Sequence, residues 1–132
     1  MKNYNIFDKV EGGSILVSDD NIMSYICGSK ADKLTIYKDS NTYKRSESFT
    51  VKSSIYYLDY FGKASKQFVL LTLKDVNFKI YINKDYIDYI SDINKNASEG
   101  FTMKDMLVYM KDGDIYRVNE TLHEIKERLE SI

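Results

Sequence analysis

Residues 106–129, MLVYMKDGDIYRVNETLHEIKERL, leave the chain little freedom of fold. Leu107, Val108, Tyr109 and Met110 favour a strand, and Ile115, Tyr116 and Val118 restart one after a break. In the break, Asp112-Gly113-Asp114 supplies a glycine that reaches positive φ without a Cβ penalty, as a tight hairpin requires. Thr121 with Glu124 three residues on has the spacing of a capping box, in which hydroxyl and carboxylate each satisfy a free backbone N–H. Leu122, Ile125, Leu129 and Ile132 then recur at helical spacing. The pattern predicts a helix over residues 122–131 docked by Leu122, Ile125 and Leu129, with Glu124, Lys126, Glu127 and Arg128 in water.

The same order recurs upstream. Residues 34–48, LTIYKDSNTYKRSES, align without a gap on residues 107–121, LVYMKDGDIYRVNET, and residues 15–22 align on 80–87. Such self-similarity predicts an internal duplication of a β-β-β-β-α unit, each copy closed by its Lys-Asp hairpin, the second beginning near Gln67. The expected fold is α+β: two tandem, sequence-related units, residues 1–66 and 67–132, sharing one core and ending in an amphipathic helix. At 132 residues they suit one compact domain. Residues 48–58 are ambiguous. Val51, Ile55 and Leu58 have helical spacing, whereas β-branched and aromatic residues favour a strand; the repeat argues for helix. Residues 91–104 read as the longest polar loop.

Charge narrows the partners. Nineteen basic side chains face 20 acidic ones, and nucleic-acid binders normally carry a basic excess, although a basic patch on one face is compatible with this total. Cys27 is the only cysteine, which favours a reducing compartment. Residues 1–13 lack the apolar stretch of a signal peptide, and no apolar run reaches membrane-spanning length, so a cytoplasmic location is expected. The absence of proline and the abundance of Lys, Asn, Ile and Tyr suit an AT-rich genome, such as that of a low-GC bacterium or its phage.

Two family resemblances rest on these patterns. Leu71-Thr72-Leu73, Ile80 to Ile82, Ile87 to Ile90, Leu107 to Met110, and Val118-Asn119-Glu120-Thr121 before Leu122-His123-Glu124-Ile125 resemble the FlbD/SwrD family of small bacterial proteins associated with flagellar motility. That likeness spans residues 68–130 and implies a fold more than an activity. The chain also resembles the N-terminal part of LytTR DNA-binding domains, without the basic, His- and Arg-bearing segment that family carries after its helix.

Catalytic signatures are sparse. His123 is the only histidine, and the periodicity places it beside the apolar stripe of its helix, as an exposed residue. Cys27 has no neighbouring base in sequence. Asp112 and Asp114 share part of a calcium-loop spacing, but the glycine is misplaced and the closing Glu comes too early. No phosphate loop or CxxC occurs, so no enzyme, cofactor or metal is expected. The chain has twelve tyrosines and no tryptophan. Tyr56, Tyr57, Tyr60 and Phe61 form one cluster and Tyr81, Tyr86 and Tyr89 another. Some fill a thin core; exposed ones offer large contact area at little entropy cost. The reading is a non-enzymatic protein-binding module, a regulator or inhibitor using this tyrosine surface; a phage-encoded inhibitor of a host system suits its size. Two alternatives stand: a small-molecule or nucleotide-sequestering binder, which needs a concave pocket, and a nucleic-acid-binding regulator, which needs a basic groove beside its aromatics.

Overall fold

A computed structural model describes residues 3–38, 46–64, 66–93 and 105–131, and the chain is α+β. The first half runs β1 (Tyr4–Asp8), β2 (Ser14–Ser18), a 3-10 turn (Asp19–Asn21), β3 (Ile22–Ile26), β4 (Asp32–Tyr37), β5 (Ser46–Val51) and α1 (Ile55–Lys63). The second runs β6 (Phe68–Thr72), β7 (Lys79–Asn83), a 3-10 turn (Lys84–Tyr86), β8 (Ile87–Ile93), β9 (Asp105–Met110), β10 (Ile115–Val118) and α2 (Leu122–Glu130). Among the described residues each half therefore has five strands, not four, because the short apolar steps after the 3-10 turns pair as full strands, β3 and β8. Both turns are capped alike: the Ser18 hydroxyl accepts from Asp20 N–H and the Asn83 side chain from Asp85 N–H.

The strands pair antiparallel in three sheets, β1-β2, β5-β4-β3-β7-β6 and β10-β9-β8. In the middle sheet the halves meet, with Tyr25 of β3 opposite Tyr81 of β7 and Ile26 opposite Ile80. Side chains alternate across a strand, so this register sends Tyr25, Leu34 and Tyr81 to one face and Ile80, Ile82 and Leu71 to the other. Each face has its own apolar cluster. One gathers Phe7, Ile22, Tyr25, Leu34, Phe61 and Tyr81; the other gathers Met23, Leu71, Ile80, Ile82, Val108 and Ile125. The single shared core expected from sequence is thus two clusters separated by a sheet. Phe68 and Tyr81 from the second half pack in the first cluster and Met23 from the first half packs in the second, so neither half closes alone.

Matching backbone bonds tie strands to neighbouring sheets. Val10 N–H donates to Thr50 C=O (3.0 Å) and Lys52 N–H to Asp8 C=O (2.8 Å); in the second half Lys74 N–H donates to Arg117 C=O and Asn119 N–H to Thr72 C=O (both 2.9 Å). Ser54 caps α1, accepting from Tyr56 N–H, as Thr121 caps α2, accepting from Glu124 N–H. The gap-free alignment that set Ser48 against Thr121 is therefore out of step at its end. The β4–β5 connection runs from Tyr37 to Ser46, longer than that from Met110 to Ile115, and Ser48 lies inside β5.

Residues 48–58 divide, with Val51 buried in β5 and Ile55 and Leu58 exposed on α1, whose buried residue is Phe61. On α2 the capping box is complete and Ile125 is buried, but Leu129 is half-buried and Leu122 exposed. The expected stripe is narrower because α2 lies along the edge strand β6, where Arg128 donates to Leu70 C=O (2.8 Å). Strand β8 takes in positions 91–93 of the expected loop; positions 94–104, and the first Lys-Asp turn at Asp39, lie outside the described residues.

Candidate nucleic-acid interface

Of the tyrosine-rich surface expected from sequence, Phe61 and Tyr81 are buried, Tyr57, Tyr60 and Tyr86 are half-buried, and Tyr56 and Tyr89 are exposed. Phe61 and Tyr81 are buried with ring centroids 5.6 Å apart, so the two aromatic clusters meet inside the protein. Tyr57 donates to Ile6 C=O, Tyr60 to the Asp19 carboxylate and Tyr86 to Asp20 C=O. Burial raises the pKa of all three, and of Tyr81. Tyr56 (64 % exposed) and Tyr89 (53 %) stay open, Tyr89 stacking on Tyr109 at 4.4 Å.

Aromatic rings and cations meet elsewhere, at the end of the middle sheet where the β3–β4 loop faces the β6–β7 turn. One row of paired residues crosses all five strands there: Thr50, Lys33, Ile26, Ile80, Leu71. Beside it an open apolar hollow of about 480 Å³ is lined by Ile26, Phe49, Leu73, Val76 and Phe78, with Lys33 on its wall. Lys30 and Lys79 adjoin lining residues Ala31 and Phe78, and Lys52 follows Thr50 by two positions. These four lysines make no ion pair among the described residues. Across Phe49 and Thr50 the hollow adjoins a second one holding Lys9 and Glu11.

The backbone that shapes this end is constrained. A Cβ on Gly28 would collide with the carbonyl oxygen of Ala31, so only glycine lets the β3–β4 loop close. Asn77 sits at φ 55, the left-handed region asparagine tolerates, and turns the chain so that Phe78 enters the hollow. The one carboxylate lining the hollow, Asp32, is buried and engaged: it accepts from the Tyr25 hydroxyl, Gly28 N–H (3.1 Å) and the Ser53 hydroxyl (3.0 Å). Its charge is thereby tied to the β3–β4 loop and to the segment just before α1. Burial raises the pKa of Asp114 on the β9–β10 turn, and Lys33 partly opposes that rise. Sequence reasoning passed over this site because its lining residues come from both halves, and only the β3–β7 pairing unites them.

The remaining candidates have structural surroundings. His123 is exposed and pairs with Glu127 at 3.0 Å on its own helix. Burial, and to a lesser degree the nearby Asp32 charge, pushes the Cys27 thiol up to about 11, away from the thiolate. Among the described residues no three His, Cys, Asp or Glu side chains converge to hold a metal, and no helix is long and apolar enough to cross a membrane.

No family model matches the chain, and no curated protein matches it. Among solved structures it is similar to a LytTr DNA-binding domain of a DNA response regulator from Bacillus cereus. The identity is 14 %, the TM-score is 0.56, and the match covers 100 % of each chain. The likeness is one of fold. It spans the whole chain and so corrects the expectation of a match to only the N-terminal part of such domains. It also overturns the expectation of a protein-binding regulator or inhibitor acting through a tyrosine surface.

Proposed function

We propose that this chain is a non-enzymatic, nucleic-acid-binding regulatory domain. The observation that carries the reading is the end-to-end likeness of its fold to a DNA-binding domain. Lys33 on the wall of the hollow, with Lys30 and Lys52 within two positions of lining residues, supplies the phosphate-facing charge such binding needs. The recurring order of elements fits a duplicated ancestral unit, and a reducing cytoplasm fits the lone Cys27.

Fluorescence anisotropy of labelled oligonucleotides across a salt series tests the reading. Log affinity should fall linearly with log salt, and replacing Lys33 or Lys30 by Gln should shallow the slope by about 0.7–0.9 per lost phosphate contact. Absence of salt-dependent binding to any nucleic acid at low ionic strength ends it.

A further inference from the structure

We infer that the hollow between the β3–β4 loop and the β6–β7 turn takes an unstacked nucleobase, so that the preferred ligand is a single strand. The inference rests on the nucleic-acid reading and adds the ligand class. Phosphates alone would require only exposed cations. Here the half-buried ring of Phe78 stands in an apolar recess that Phe49 also lines, with Lys33 on its wall. Single-strand binders combine these two elements, a ring on which a base stacks and ammonium groups that follow the backbone. A volume of about 480 Å³ falls within the size of small-molecule pockets. Val76, exposed at the rim, extends the apolar surface beyond Phe78.

The chain has no tryptophan, so Phe78→Trp installs a single indole reporter while keeping a ring in place. Base stacking should quench that fluorescence on addition of a 12-nucleotide single strand, but not on addition of an abasic strand of equal length. By anisotropy the base-bearing strand should bind wild type about tenfold more tightly than the abasic one, the scale of one stacking contact. Phe78→Ala should remove that difference while leaving the salt dependence. Val76→Asp, at an exposed position, should do the same without disturbing the fold. Equal affinity for abasic and base-bearing strands, or preference for a blunt duplex, overturns the base pocket and leaves the nucleic-acid reading intact. Failure of all three ligands to bind overturns both.

Discussion

The hydroxyl oxygens of Ser24 and Tyr116 lie 2.9 Å apart, although 92 positions separate the two residues in the chain. Ser24 is fully buried on β3, and Tyr116 reaches it from β10, so this bond links the middle sheet to the three-stranded one. Tyr116→Phe should leave the serine hydroxyl short of a partner and cost about 1 kcal/mol. In urea melts the midpoint should fall with no change in m-value.

Alkaline pH should act on the same contact. Burial pushes Tyr116 up to about 12, and burial together with Asp32 raises Tyr25 further. Unfolded tyrosine releases its proton near pH 10, whereas these folded tyrosines keep theirs. Stability is therefore fully present below about pH 10 and falls as pH rises towards 12, because the unfolded state then binds fewer protons. Urea unfolding at pH 9 and 11 should show the drop, and Tyr116→Phe should show a smaller one.

The C-terminal helix should respond unevenly along its stripe. Ile125→Ala removes a fully buried side chain and should cost roughly 2–5 kcal/mol. Leu129→Ala should cost less, since Leu129 is only half-buried, and Leu122→Ala less still. Thr121→Ala should cost about 1 kcal/mol by removing a hydroxyl that accepts from Glu124 N–H at 3.2 Å. His123→Ala, at an exposed position, should be near neutral. Thermal melts of the five variants check the ranking.

Asp105 presents a different vulnerability. Its carboxylate is fully buried and accepts from Lys74 Nζ at 2.5 Å and Arg117 Nη2 at 2.8 Å. Arg117→Ala withdraws one charged donor from it and should cost about 1–3 kcal/mol. Arg117→Lys should recover part of that loss, because the charge returns without the guanidinium fork that also reaches Asp75.

Gly28→Ala should perturb stability and binding together. The added methyl meets the Ala31 carbonyl, so the β3–β4 loop must open at the wall of the hollow. A cost of about 1–3 kcal/mol is expected, as for other overpacked sites. Oligonucleotide affinity at a temperature where the variant stays folded should fall several-fold, while Gly62→Ala, where a Cβ meets nothing, should retain it.

Local patterns in the sequence were enough for the α2 cap and the Asp112-Gly113-Asp114 turn. Each depends on residues a few positions apart: a hydroxyl three residues before a carboxylate, a glycine where φ turns positive. Whether a tyrosine was wall or surface depended instead on what packed against it. Phe61 and Tyr81 read as candidate surface residues and became core because α1 lies over the face of the sheet that β7 shares. The hollow was equally illegible. Ala31, Lys33, Phe49 and Phe78 are scattered over both halves, and only the order β5-β4-β3-β7-β6 makes them neighbours. Spacing along the chain determines turns and caps, but burial and the local concentration of charge are set by pairings between distant strands, which spacing does not encode.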